Sequence, residues 1–219
     1  IGRYMNYLAL DIGNVLCHID QVPFSREISE SLNITIPEAD RFVSRFWELH
    51  DIGFTNINDE LIDRLGVKSP IKREKIIALW NSVIFPNEMV IDFINQMKLE
   101  YDIKIAFVSN MGVEHVKIMN TILGKGGLYS DAVKYFSCDV GARKPSYLYY
   151  QSFLSMHPEF KNCMYVDDRQ NNVEAAALFG FKSYKFSLED YFPFQTSFKT
   201  LEQELESLKL TFLEINKLL

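Results

Sequence analysis

Cysteine is scarce. Cys17, Cys138 and Cys163 are three in 219 residues, an odd number lying far apart with no CxxC pair, so neither a disulfide framework nor a zinc site is expected. Also missing is any run of about 18 apolar residues, any apolar signal core near the N-terminus and any basic leader. The expectation is a cytoplasmic protein with no membrane partner. There is no excess of positive charge: 23 Lys and Arg against 29 Asp and Glu leave a net charge of −6, which gives a polyanion no broad surface to bind and excludes nucleic acid as an expected partner. Internal repeats and low-complexity segments are absent. What is present is 47% apolar and 24% charged residues, the composition of an ordinary globular chain, at a length that suits one large domain or a core with a smaller insertion. Met5 opens MNYLALD as a native start would, and Ile1 to Tyr4, whether an added tail or a longer N-terminus, carry no argument.

Short apolar runs alternate with helical patterns. Tyr7 to Leu10 is a continuous apolar run ending at Asp11, as a buried parallel strand would be. Ile103 to Val108 ends at Ser109, Cys163 to Val166 ends at Asp167 and Asp168, and Tyr135 to Val140 and Ser183 to Phe186 complete the set of expected strands. Helices are expected at Met89 to Lys98, Val113 to Leu123, Tyr147 to Met156 and Val173 to Phe179, the last stopped by Gly180. Such alternation implies an α/β fold with a parallel sheet and right-handed crossovers, in which ligands gather beyond the carboxyl ends of the strands. Asp11, Ser109, Asp167 and Asp168 should therefore converge.

Residues 21–85 break the alternation and read as helices only. Thr35 and Glu38 have the spacing of a capping box, with Pro37 in the first turn, and Phe42, Val43, Phe46, Trp47 and Leu49 follow at helical intervals. Asn58 to Leu65 and Lys72 to Ile84 are further expected helices. The resulting division is a core of residues 5–20 and 86–219 and a helical cap of residues 21–85. At the C-terminus, Leu201, Leu205, Leu208, Phe212, Ile215 and Leu219 form one stripe, expected to pack inward, with a dimer seam as the other use; the chain is expected as monomer or homodimer.

An Asp after an apolar run is by itself more often a turn or capping residue than a nucleophile. Together the strand-end residues say more. Asp11 at a sharp turn, the Gly13 carbonyl, Asp167 and Asp168 offer a hard oxygen site of the kind Mg²⁺ prefers. Ser109 and Asn110, just ahead of the helix at Val113, offer a hydroxyl, an amide and backbone N–H groups to an anion. Lys144 is by default a surface lysine, and its functional reading is a cation that neutralises phosphate and carboxylate oxygens.

The order Asp, Ser, Lys, Asp-Asp in LALDIGNVL, FVSN, GARKP and YVDDRQNNVEAA resembles the four motifs of the haloacid dehalogenase-like (HAD) superfamily. The resemblance spans essentially the whole chain, including a type-one helical cap after the first motif on a Rossmann-like core. It implies a Mg²⁺-dependent phosphomonoester hydrolase. Asp11 would form an aspartyl-phosphate. Ser109, Asn110 and Lys144 would bind the phosphoryl group, with Lys144 also stabilising the nucleophile. Asp11, Gly13 and Asp168 would hold the metal, with Asp167 a supporting or alternative ligand and Asn172 steadying that shell. Phosphatases of the family usually carry a second Asp, their general acid and base, where this chain has Gly13. The DxGNV form is similar to glucose-1-phosphatase-like members, so the expected ligand is a small phosphorylated metabolite, a sugar phosphate first, recognised in the cap near Arg45, Trp47, His50 and Phe54. His18, with Asp20 beside it, and His50 are candidate substitutes for the missing acid. The alternatives are an impaired HAD-like module that binds a phospho-ligand or a protein, and a haloacid dehalogenase.

Overall fold

The structure is a computed structural model and describes residues 6–218. The expected start at Met5 and the last position of the C-terminal stripe, Leu219, lie outside the described residues. In chain order the elements are β1 (Asn6–Leu10), β2 (Cys17–Ile19), α1 (Val22–Leu32), α2 (Ile36–Asp51), a π-helical turn (Ile57–Ile62), α3 (Pro70–Ser82), β3 (Ile84–Pro86) and α4 (Glu88–Tyr101). Then come β4 (Ile103–Ser109), α5 (Val113–Leu123), α6 (Leu128–Asp131), β5 (Val133–Phe136), α7 (Ser137–Val140), α8 (Tyr147–Met156), β6 (Met164–Asp167), α9 (Gln170–Leu178), β7 (Lys182–Lys185) and α10 (Leu201–Asn216).

Five parallel strands run in the order β5-β4-β1-β6-β7. The period of two along each strand divides the interior. Leu8, Leu10, Ile105, Phe107, Met164 and Val166 face a cluster shared with Ile91 and Ile94 of α4, Met119 of α5 and Leu205 and Phe212 of α10. Ala9, Ala106, Val108 and Tyr165 face the other way, against Tyr149, Tyr150 and Phe153 of α8 and Ala176 of α9. Small Ala9 and Ala106 leave room for the tyrosine rings. Helices cover both faces, so the molecule is a Rossmann-like α/β sandwich. The C-terminal stripe is used inside it: Leu201, Leu205, Leu208 and Phe212 are buried, each contributing about 1.5–3 kcal/mol of apolar burial. Among the described residues no helix is long and apolar enough to cross a membrane.

Between β2 and β3 a third apolar cluster forms from Phe24, Ile28, Val43, Phe46 and Trp80, built by α1, α2 and α3 away from the sheet. The expected capping box starts α2, with the Thr35 N–H donating to Glu38 Oε2 at 2.9 Å. Not everything between residues 21 and 85 is helical. The chain leaves and re-enters the core through an antiparallel ribbon that pairs His18 with Phe85, and the segment expected as a helix from Asn58 begins as a π-helical turn. Three-residue strands are too short to show an alternation in sequence. Tyr135 to Val140 also differs from the expected strand: β5 stops at Phe136 and residues 137–140 turn into α7, because Ser137 Oγ is drawn into bonds with Met111 N and the Asp51 carbonyl.

Two glycines let the helical segment dock closely. A Cβ on Gly112, at the start of α5, would lie 2.0 Å from the His50 ring. Gly53 has φ +72, and a Cβ there would meet the Cys138 carbonyl oxygen at 2.8 Å. His50 Nε2 pairs with Glu114 Oε2 at 2.6 Å, and the Trp80 and His115 rings stack at 4.5 Å. The C-terminal end of α2 is thereby fixed against α5 and α7.

Candidate active site

The register decides what meets at the carboxyl edge of the sheet. Leu10 is level with Phe107 on β4 and Val166 on β6, so the next residues, Asp11, Val108 with Ser109, and Asp167 with Asp168, arrive together. The Asp11 N–H donates to the Val166 carbonyl at 2.9 Å, which carries β1 one residue beyond its strand before the chain turns. The strand order reverses about β1, the switch point at which such sheets form a crevice.

Asp11, Ser109, Lys144 and Asp167 are all buried. Lys144 Nζ donates to Asp167 Oδ2 at 2.6 Å and to the Val108 carbonyl at 2.8 Å, and forms an ion pair with Asp11 Oδ2 at 3.1 Å. Burial alone would lower its pKa, but Asp11 and Asp167 outweigh burial and hold it above the ordinary lysine range. Asp167 is saturated: Oδ2 also accepts from Tyr165 Oη at 2.5 Å, while Oδ1 accepts from Arg169 N and Asn172 Nδ2, both at 2.9 Å. Burial pushes its carboxyl up, and Lys144 with these donors pulls it below the ordinary range. Asp11 Oδ1 accepts the Ile12 N–H, at 2.8 Å. Its carboxyl is raised by burial against the opposing pull of Lys144 and the Ser109 hydroxyl.

Asp168 is the most exposed of the three acids and accepts a 3.3 Å bond from Asn14 Nδ2. Burial, with Asp11 and Asp167 nearby, pushes its carboxyl up to about 7. One ligand oxygen from each of Asp11, Asp167 and Asp168 lies within 4.8 Å of the others. Three carboxylates against one ammonium leave a negative excess in a mostly dry place, and the unfilled lone pairs lie on Asp11 and Asp168. A hard, oxygen-seeking dication such as Mg²⁺ fits this donor set.

These groups form the floor of a cavity of about 340 Å³. Asp11, Gly13, Ser109, Asn110, Asp168 and Asn172, all expected site residues, line it, and Lys144 and Asp167 lie beneath. The Asn110 side chain is partly committed: Oδ1 accepts from Lys144 N at 2.8 Å and Nδ2 donates to the Lys144 carbonyl at 3.1 Å, which ties the lysine loop to the end of β4. Buried tyrosines steady the floor, the Tyr149 hydroxyl shared between the Tyr135 and Ser109 carbonyl oxygens at 2.9 and 3.2 Å and Tyr150 Oη donating to the Asn172 carbonyl at 3.0 Å.

The roof differs from expectation. Of the four residues proposed to read the ligand, Trp47 lines the cavity. Arg45 and Phe54 are exposed and His50 is buried against Glu114. Ser44, Glu48 and Asp51 share the Trp47 face of α2 at intervals of three and four residues. Arg143 and Arg169, each beside an expected site residue, add two guanidinium groups. Arg143 Nη2 lies 3.3 Å from Asp51 Oδ2. Which face of α2 turns inward depends on docking, so spacing alone left the choice open. His18 contacts Asn87 at 3.0 Å between the rings of Phe85 and Phe192 and does not line the cavity.

No protein-family model and no curated protein matches the sequence. Solved structures do. A HAD family enzyme from Bacteroides thetaiotaomicron, in a variant form complexed with magnesium and inorganic phosphate, superposes with a TM-score of 0.71 at 17% identity over 87% of this chain and 98% of its own. A HAD-like family hydrolase from Porphyromonas gingivalis gives 0.70 at 16% identity over 94% and 98%. An L-2-haloacid dehalogenase gives 0.54 at 15% identity over 82% and 83%. The chain has the fold these HAD-family enzymes share.

Proposed function

We propose that this chain is a member of the HAD-like superfamily, with a type-one helical cap and a DxGNV first motif, and that it hydrolyses small phosphomonoesters through an aspartyl-phosphate at Asp11. One observation carries the reading: a buried carboxylate, paired with a buried lysine, lines a polar cavity that Ser109 and Asp168 also line. The Bacteroides enzyme of the same fold was solved with magnesium and inorganic phosphate, which suits that chemistry.

The chain's own groups divide the work. Lys144 opposes the burial that raises the Asp11 carboxyl and sits 3.1 Å from one of its oxygens, so the carboxylate meets phosphorus pre-oriented. The Ser109 hydroxyl and the backbone N–H groups ahead of α5 receive the phosphoryl oxygens, where the helix N-terminus favours negative charge. Asp167, tied by four donors, holds Lys144 in place. Asp11, Asp168 and the Gly13 carbonyl would hold Mg²⁺, which when bound neutralises charge on the phosphoryl oxygens. Asn172 steadies that shell through Asp167. The cavity is small, and its Ser44, Gln21, Glu48, Arg143 and Asn110 side chains suit a hydroxylated metabolite of sugar-phosphate size. With the C-terminal stripe folded inward, the chain would work as a monomer or as a dimer formed elsewhere on its surface.

Phosphate release from a panel of sugar phosphates, nucleotides and aryl phosphates tests this, with Mg²⁺ and with EDTA. Metal-dependent release supports the reading. Metal-independent halide release from a haloacid would replace it with the dehalogenase, and binding of phosphorylated ligands without turnover would replace it with the binding module that Gly13 keeps open.

A further inference from the structure

We infer that Asp51, at the C-terminal end of α2, is the catalytic proton donor to the leaving oxygen and the base that afterwards activates water. This rests on the phosphatase reading above. An alkoxide leaving group needs a proton, and the cavity offers few sources. Asp11 is committed to attack and Asp168 to the metal. Asp167 lies beneath the floor with both oxygens doubly bonded. None of the four histidines lines the cavity: His18 is held by Asn87, His50 by Glu114, His115 donates to the Trp80 carbonyl, and His157 sits near Glu159 at the end of α8. Glu48 lines it, but its side chain is 69% exposed and stays solvated.

Asp51 is different. Its side chain is 3% exposed, it lines the cavity, Arg143 holds Oδ2 at 3.3 Å, and the buried Oδ1 has no hydrogen-bond partner. A buried carboxyl with one oxygen beside a guanidinium and the other unpaired has no partner that commits it to the ionised form, and a small side-chain rotation would bring it to a ligand in the cavity. Its position is secured from behind: Ser137 Oγ donates to the Asp51 carbonyl, and Gly53 and Gly112 allow the close docking that puts it there. The groups facing it are Arg143 and Arg169 from the core, Asp11 from the end of β1, Cys138 on α7 and His50 and Glu48 on its own helix. Burial against these partly compensating charges pushes its carboxyl up to about 6, near the range that suits an acid and base at neutral pH.

The step balances. As an Asp11 oxygen bonds to phosphorus and the ester P–O bond breaks, the proton carried by the Asp51 carboxyl moves to the leaving oxygen and releases the alcohol. Asp51, now ionised, takes a proton from water as that water's oxygen bonds to phosphorus and the Asp11–phosphorus linkage breaks. Phosphate leaves, Asp11 is a carboxylate again and Asp51 is reprotonated.

The test compares wild type, Asp51→Asn and Asp51→Glu at saturating Mg²⁺ with 2,4-dinitrophenyl phosphate, phenyl phosphate and an alkyl phosphate. For Asp51→Asn, kcat/KM for the alkyl ester should fall by about 10²–10⁴ and for the dinitrophenyl ester by less than about tenfold, since that leaving group needs no proton. The dinitrophenyl ester should also give a burst of one equivalent of phenolate, because hydrolysis of the aspartyl-phosphate has lost its base. Asp51→Glu should recover part of the alkyl rate. In wild type, alkyl kcat/KM should fall as pH rises through the Asp51 pKa, a limb absent from the dinitrophenyl profile. Equal losses for all three esters, or a wild-type limb shared by all three, would overturn the assignment while leaving the phosphatase standing. Wild type that releases phosphate from no ester would overturn the phosphatase reading itself, and Asp51 with it.

Discussion

Replacing Lys144 with methionine removes the only ammonium from a floor that holds Asp11, Asp167 and Asp168. With Nζ 2.6 Å from Asp167 and 3.1 Å from Asp11, each attraction amounts to roughly 5–6 kcal/mol at an effective dielectric of about 20. Desolvation of the lysine offsets much of that, so the pairs add little net stability. What the substitution exposes is the carboxylates left unpaired, which costs on the order of 3–5 kcal/mol. The sign with pH follows. In wild type the lowered Asp167 carboxyl contributes stability above the ordinary carboxylate range that is lost as pH falls through its depressed pKa. In Lys144→Met the strongest pull lowering Asp11 and Asp167 is gone and only their hydrogen bonds remain, so their pKa values rise and the deficit shrinks as pH falls. Urea unfolding followed by far-ultraviolet circular dichroism in EDTA should show the deficit at pH 7 and a smaller one at pH 5. Adding Asp167→Asn should recover about 1–3 kcal/mol as a coupling energy. A deficit under about 1 kcal/mol, or strict additivity of the two substitutions, would refute the picture of one buried charge cluster.

Three further outcomes are expected. Because the Asp168 carboxyl is raised to about 7, a proton competes with Mg²⁺ below that pH; calorimetry should find affinity falling as pH drops and proton release on binding near pH 6.5, and an affinity unchanged between pH 5.5 and 7.5 would contradict it. Gly112→Ala drives a methyl into the His50 ring, 2.0 Å from the added carbon; thermal melts should show about 1–3 kcal/mol lost, and kcat/KM should fall up to about 10²-fold as α2 shifts, whereas unchanged values would mean α2 is not docked there. Gly13→Asp has room, its Cβ meeting only Ile19 carbons at 3.5 and 3.6 Å; in the Asp51→Asn background it should restore alkyl ester turnover by at least about tenfold, and no gain would show that position 13 does not reach the leaving oxygen.

The floor of the site was legible in the sequence because it depends on strand ends. A buried parallel strand is a bare apolar run, and the first polar residue after it, at Asp11, Ser109 and Asp167, marks where the chain leaves the sheet. Helices with clear starts were legible too: Val113–Leu123 and Tyr147–Met156 have the bounds read from sequence. What escaped was tertiary. The β2–β3 ribbon is too short for a pattern, and the end of β5 is set by the bonds of Ser137 Oγ to residues distant in sequence. Asp51 in sequence is one acid at a helix end, which reads as solvated; it becomes buried and half-unpartnered only because α2 docks through Gly112 and Gly53. Trp47 was found because an aromatic at helical spacing stands out, and its polar neighbours on the same face, Ser44, Glu48 and Asp51, did not.

Covalent catalysis at Asp11 is the claim on which the rest depends. Wild type and Asp11→Asn, each with Mg²⁺, would be mixed with 2,4-dinitrophenyl phosphate, quenched in acid within the first turnover and mapped by peptide mass spectrometry. One phosphoryl group on the wild-type peptide that contains Asp11, absent from the variant and from wild type in EDTA, is the expected result. A variant that still releases phosphate, or wild type that turns over with no phosphoryl group on that peptide at any time, would contradict it.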